Sequence, residues 1–427
     1  MKTLAIMGGE PVVKTPLQFY KSVGDRERLE VQKVLDSGCL SGYVGAWGDA
    51  FDGGPAVKEF ESNWRQVFKC NYAIAVNSAT SGLYAAIGAC GVGPGDEVIV
   101  PPYTMSATAM APLVYGGIPV FCDIEADTFC LDPDLVRKEI TPKTKAIIAV
   151  NLFGHAAKLR ELRQIADEHG LYLIEDNAQG PFATENDVFA GTIGHIGIFS
   201  LNYHKHIHTG EGGMCVTKDE QLALKLRLIR NHGENAAIPA GLTDLTNMVG
   251  FNYRLTEMSA AVGIAQLAEA QTHLQGREET ARKLSLTIQD FKGLTPPMVR
   301  ENCRHVYYVW AMKFDKNEIG VSRDTFSKAL FAEGFPNYVG YVKPLYLLPM
   351  FQKKIAFGAK GFPFNLSQRE YYEGMCPVVE RMHSEQLIWF PNCVYQPSHK
   401  LDDELCQAIT KVYESRAMLR DLENKDS

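Results

Sequence analysis

The chain has no C-x-x-C pair, no block of lysines and arginines, no internal repeat and no low-complexity tract. No apolar stretch approaches the ~18 consecutive residues of a membrane-spanning helix. Each absence excludes something. Ten cysteines spread from Cys39 to Cys406 without paired spacing leave no zinc-ribbon or dithiol motif. They are expected to be small buried hydrophobes with free thiols, in a reducing, cytoplasmic setting. With 43 basic and 50 acidic residues the net charge is −7, so nothing electrostatic points to nucleic acid or a membrane surface. A small anionic ligand stays compatible, because one pocket can be positive on an acidic protein. No G-x-G-x-x-G follows a strand-like run, which argues against a nicotinamide enzyme. No basic stripe or helix-turn-helix-like appendage argues for a regulatory protein. The apolar run near the start is too short for the core of a signal peptide.

What is present is a chain of 427 residues, 46% hydrophobic, long enough for one large domain and a smaller one. Residues 1–60 read as a loop-rich segment with turn signals at Ser41-Gly42-Tyr43 and Phe51-Asp52-Gly53-Gly54-Pro55. Residues 61–270 alternate short apolar runs with helical stretches. Runs at 73–76, 97–100, 118–121 and 146–150 predict strands, and 81–89 predicts a helix. In 159–176, Leu159, Leu162, Ile165 and Ala166 share a helical face, Gly170 stops the helix, and a buried strand ends at Glu175-Asp176. This alternation predicts an α/β fold with a mostly parallel sheet covered on both faces. Ligands then bind beyond the carboxyl ends of the strands, where Asp176 falls. Residues 255–292 predict a long helix. The rest, 271–427, predicts a smaller α+β domain, strand-like at 305–314 and helical at 323–333 and 401–422.

Four segments carry polar chemistry. Asn77-Ser78-Ala79-Thr80-Ser81-Gly82 is a strand-to-helix junction, either a phosphate cradle on the helix dipole or an ordinary Ser/Thr cap. Glu175-Asp176-Asn177-Ala178-Gln179 offers a carboxylate that could form a turn, bind a metal or face a protonated ring nitrogen. Ser200 precedes Lys205 by five places, and Gly210-Glu211-Gly212-Gly213 follows. His204, His206 and His208 would share one side of an extended strand, but no acidic or cysteine cluster accompanies them, so no metal is expected. Gly250-Phe251-Asn252-Tyr253-Arg254-Leu255-Thr256 leads into the long helix.

In this order the segments resemble the DegT/StrS-type sugar aminotransferases. Gly8-Gly9-Glu10-Pro11-Val12, Asn231-His232-Gly233 and Cys376-Pro377-Val378-Val379-Glu380 extend the likeness over most of the chain. The resemblance implies a fold type I transferase with a seven-stranded-type sheet and pyridoxal 5'-phosphate as cofactor. It implies Lys205 as the Schiff-base lysine and Asp176 as the partner of the pyridinium nitrogen. Gln179 would lie near the ring hydroxyl, and Ser200, Thr80 and the backbone at Ala79 at the phosphate. Asn252 would reach the phosphate bound by a neighbouring subunit, which implies a homodimer with shared active sites. Where relatives carry a ring-stacking aromatic after a P-x-x-T segment, Pro101-Pro102-Tyr103-Thr104 is followed by Met105. Met105 is assigned to the cofactor face, with Tyr103 the alternative.

The implied reaction moves an amino group from glutamate or glutamine to a keto-sugar, nucleotide-linked in the favoured reading. A keto-cyclitol or an oxidised octulosonate is an alternative acceptor. Relatives with histidine in place of the lysine remove a hydroxyl instead, so a sugar dehydratase is a rival; spacing from Ser200 and to Gly210 selects Lys205 over His206. A non-catalytic cofactor-binding regulator is a further rival. The pocket is expected to draw on residues 41–54 and on the segment from Asn337 to Tyr341.

Overall fold

The computed structural model describes residues 3–426. Seven short apolar runs form the central sheet: β1 (Tyr72–Val76), β2 (Glu97–Val100), β3 (Ile118–Phe121), β4 (Thr144–Val150), β5 (Tyr172–Asp176), β6 (Ile196–Ser200) and β7 (Gly213–Thr217). Their order is β1-β7-β6-β5-β4-β2-β3, and β7 alone runs against its neighbours. Nearly every residue of these strands is buried, as a parallel sheet covered on both faces requires.

The covering helices follow from spacing and caps. Helix α1 covers Asp25–Ser37 and α2 covers Pro55–Phe68. In α2, proline opens the first turn, and Val57, Phe60, Trp64 and Phe68 fall on one buried stripe. Each such side chain contributes roughly 1.5–3 kcal/mol on burial, an upper estimate. Helix α3 (Ala79–Ala89) is capped by Ser78, whose Oγ accepts from the Ser81 N–H. Helix α4 is Ala107–Val114, and α5 (Leu159–His169) buries Leu159, Leu162, Ile165 and Ala166 and ends on Gly170 at φ 65°. Helix α6 is Glu220–Arg230.

Helix α7 (Glu257–Ile288) joins two cores. Its residues Ala260, Leu267, Ala270 and Leu274 pack in the large core, while Ala281, Leu284 and Ile288 pack in the small one. The division expected at residue 270 therefore falls inside a continuous helix. The second core sits on a four-stranded antiparallel sheet of β8 (Leu294–Thr295), β9 (Trp310–Phe314), β10 (Tyr338–Val339) and β11 (Leu387–Phe390), in the order β8-β9-β11-β10.

One expectation is refined and two are corrected. Residues 1–60, read as loop-rich, also contain α1 and the start of α2. Helix α1 buries only Glu27 and Val34 and leaves Leu29 and Leu35 exposed, so it shows no clear apolar stripe. Within 305–314, only Trp310–Phe314 is a strand. Tyr307 has φ 47°, and the segment before β9 crosses residues 153–154, with Val306 N–H donating to Gly154 O and Val309 N–H to Phe153 O. The last helical stretch is two helices, His399–Glu414 and Arg416–Asp426, separated at Ser415.

Candidate active site

The carboxyl ends of β1, β5 and β6 open on one cavity of 270 Å³. The junctions that follow each strand supply its polar wall. After β1, Ser78, Ala79 and Thr80 present the start of α3, an eleven-residue helix whose first N–H groups have no intrahelical acceptor. This approach depends on Gly213 at the head of β7. A Cβ there would lie 2.6 Å from the Ser78 carbonyl carbon and 2.7 Å from the Ala79 nitrogen, both backbone atoms that cannot yield.

At the end of β5, alternation sends two adjacent carboxylates to opposite faces. Glu175 turns from the cavity and accepts the N–H groups of Gly191, Ile193 and Gly194. Asp176 lines the cavity, with Oδ2 accepting from Thr108 Oγ at 2.7 Å and Oδ1 from the Ala178 N–H at 3.2 Å. Burial raises its carboxyl above the usual carboxylate range, against the hydrogen bonds from Thr108 and Ala178 and the charge of Lys205. Gln179 is locked at both ends: Oε1 accepts from the Phe153 N–H at 2.8 Å, and Nε2 donates to the Tyr341 hydroxyl at 3.0 Å.

Ser200 ends β6, and the irregular β6–β7 connection carries Lys205. The turn is held by the Leu201 N–H on Gly212 O, Thr209 N–H on Leu201 O and Lys205 N–H on Asn202 O. Lys205 Nζ donates to the Tyr308 hydroxyl at 3.1 Å and stands 4.2 Å from that ring's centroid. Burial pushes its amine down to about 8, against the pull of Cys393 and Asp176. The three histidines around it do not converge. His206 accepts from Arg277, His208 pairs with Ser22, and His204 borders the cavity. Among the described residues, no group of three or more His, Cys, Asp or Glu side chains is placed to hold a metal.

The cavity brings together Ala79, Thr80, Met105, Asp176, Gln179, Ser200 and Lys205. Met105 is 62% exposed at its border, whereas Tyr103 is fully buried and does not line it. Asn252 lies outside: it is exposed, and its carbonyl accepts from the Asn77 side chain beside the β1–α3 junction. Residues 41–54 line neither this cavity nor a second one beyond Lys205, whose N-terminal walls are Phe19, Tyr20 and Ser22. Tyr341 does line the first cavity. No motif marks Thr108 or Tyr308, which reach the site only through tertiary contact.

The donor set suits pyridoxal phosphate. A helix start with a hydroxyl side chain fits its phosphate, a buried carboxylate its ring nitrogen, and a partly desolvated amine its aldehyde. Val150, Ala178 and Met105 give apolar surface for the ring.

Comparison with known proteins agrees. The model of the DegT/DnrJ/EryC1/StrS aminotransferase family matches residues 43–388. The L-glutamine:2-deoxy-scyllo-inosose aminotransferase of Streptomyces kanamyceticus is 32% identical over 431 residues, covering 97% of this chain and 98% of that protein. The GDP-perosamine synthase of Caulobacter vibrioides is 35% identical over 297 residues, covering 69% and 78%. The solved aminotransferase from Psychrobacter cryohalolentis superposes with a TM-score of 0.81 at 28% identity, covering 94% of this chain and all of that one (100%). The chain belongs to the DegT/DnrJ/EryC1/StrS aminotransferase family and is a pyridoxal-phosphate-dependent transaminase of α/β, fold type I architecture.

Proposed function

We propose that this enzyme takes the amino group of glutamine or glutamate and places it on the carbonyl carbon of a keto-sugar, a nucleotide-linked one in the favoured reading. The observation that carries the proposal is one cavity bordered by the Lys205 amine, the Asp176 carboxylate and the start of α3. The names of the two relatives, one for a glutamine-dependent aminotransferase and one for a GDP-linked amino-sugar synthase, support the donor and acceptor classes.

When bound, pyridoxal phosphate supplies an aldehyde for a primary amine and a ring that takes up the electron pair released at the donor's α-carbon. Lys205 is assigned to hold the aldehyde and, once displaced, to move the proton at that carbon through Nζ. An amine lowered to about 8 keeps a useful share of free base near neutrality. Asp176 is assigned to the protonated ring nitrogen, whose charge would favour its carboxylate form. Gln179 is assigned to the ring hydroxyl, and Met105 to the ring face. Ala79, Thr80 and Ser200 are assigned to the phosphate, completed by the partner subunit's Asn252 in a homodimer.

His206 is not a rival for the lysine's task, because its ring is committed to Arg277 and lines neither cavity. That placement removes His206, though not His204, which borders both cavities, as the substitute base that hydroxyl removal would need. The test is spectroscopic. L-glutamine or L-glutamate should bleach the cofactor's visible band. One class from a panel of nucleotide-linked 3- or 4-keto-hexoses, keto-cyclitols and oxidised octulosonates should restore it. A holoprotein that neither amino acid bleaches would contradict the proposal.

A further inference from the structure

Among the described residues two arginines are wholly buried, and they differ in their company. Arg230 pairs with Asp52 at 2.9 Å and Glu61 at 2.7 Å. Arg277, on α7, is 1% exposed and has no carboxylate within ion-pair distance among the described residues. Its Nη1 donates to His206 Nδ1 at 2.8 Å and its Nη2 to the Cys393 carbonyl at 3.1 Å, and it lies 4.5 Å from the Tyr20 ring centroid. Its Nε–H has no hydrogen-bond partner among the described residues. Because a guanidinium only donates, the His206 proton must sit on Nε2, which also lacks a partner.

The acids nearby are engaged elsewhere. Glu27 accepts from the Gly24 N–H at 2.7 Å and Gln266 Nε2 at 2.8 Å, and Glu269 pairs with Arg26. The positive charge of Arg277 is felt around it: after burial itself, it is a cause of the lowered values of His206, His208 and His273. A buried, uncompensated cation is costly unless an anion joins it.

Arg277 lines the second cavity, of 430 Å³, together with Tyr20, Ser22, His208 and Lys205. Lys205 therefore borders both cavities. His206, the next residue in the chain, hydrogen-bonds Arg277 directly. An amino acid whose nitrogen is delivered to the Lys205 side of the site carries its carboxylate one carbon away. We propose that Arg277 is a substrate-binding residue of this second cavity, holding the α-carboxylate of the amino-acid donor while the donor's amino group reaches the Lys205 side. The assignment rests on the amino-transfer reading above.

The test uses the holoprotein and follows loss of the cofactor's visible band against donor concentration. Arg277→Lys and Arg277→Gln are compared with the wild type, with L-glutamine, L-glutamate and 4-aminobutanamide, which is glutamine without its α-carboxylate. For both natural donors, the apparent dissociation constant should rise on the order of 10- to 100-fold in Arg277→Gln and by less in Arg277→Lys. The wild type's preference for glutamine over 4-aminobutanamide should shrink in parallel. Recovery of the band by the keto-acceptor should keep its concentration dependence. Unchanged donor constants, or a rise confined to the acceptor as a phosphate contact would give, overturn the assignment. Arg277→Lys with an intact band and circular dichroism serves where Arg277→Gln fails to fold. A wild type that neither donor discharges overturns the transfer reading itself.

Discussion

Glu175 and Asp176 are chemically alike and adjacent, yet the strand's pleat gives them different work. Glu175 is fully buried against three backbone N–H groups and holds the loop before β6. Asp176 faces the cavity and is steadied by Thr108. A hydrogen bond to the charged carboxylate favours that form, so Thr108→Val should raise the Asp176 pKa further and weaken its hold on a protonated ring. At about 1–3 kcal/mol for an orphaned acceptor, cofactor affinity should fall on the order of tenfold or more, with the fold unchanged. Titration of cofactor into the stripped variant, with circular dichroism as the control, measures this. Lys205, Asp176, Gln179 and Ser200 were legible in the sequence because each lies in a local motif. Thr108 and Tyr308 were not: they bond to Asp176 and Lys205 across 68 and 103 residues, and no local spacing encodes such contacts.

The seven large-sheet strands and α5 are the most regular elements, and their apolar runs and stripes made most of them readable. Strands β6 and β7 are equally buried, but they are short and flank a polar, glycine-rich connection that masks their apolar runs. Helix α1 has no readable stripe because its apolar side chains stay largely in solvent, and the end of the chain patterns as one helix because nothing apolar marks the break at Ser415. The junction of β1 with α3 has a dependence that no propensity reveals: it needs glycine on β7. In Gly213→Ala the new methyl meets the backbone of Ser78 and Ala79, so the start of α3 must shift. Such overpacking costs about 1–3 kcal/mol. The displacement falls where we place the phosphate, so cofactor affinity should drop by about tenfold or more while the far-ultraviolet spectrum stays that of the parent. Unaltered affinity would remove α3 from the phosphate site.

At the scale of the whole molecule, α7 threads both cores, so the small domain does not begin at a linker. Sequence patterning located the helix and the two regions but not the point where they meet, because one unbroken helical stretch carries no mark where its neighbours change. The exposed position of Asn252, outside its own chain's cavity, accords with service to a second subunit. If so, Lys205→Ala and Asn252→Ala proteins should complement each other. Randomly reassorted equal mixtures should recover up to about a quarter of wild-type activity, since half the dimers carry one intact site of two. No recovery after demonstrated subunit exchange would confine Asn252 to its own chain.

Borohydride reduction of the native holoprotein, followed by peptide mass spectrometry, tests the central assignment most directly. The pyridoxyl group should be found on the Nζ of Lys205, in the peptide between Ser200 and Gly213. Its attachment to another lysine, or to none, would contradict the account.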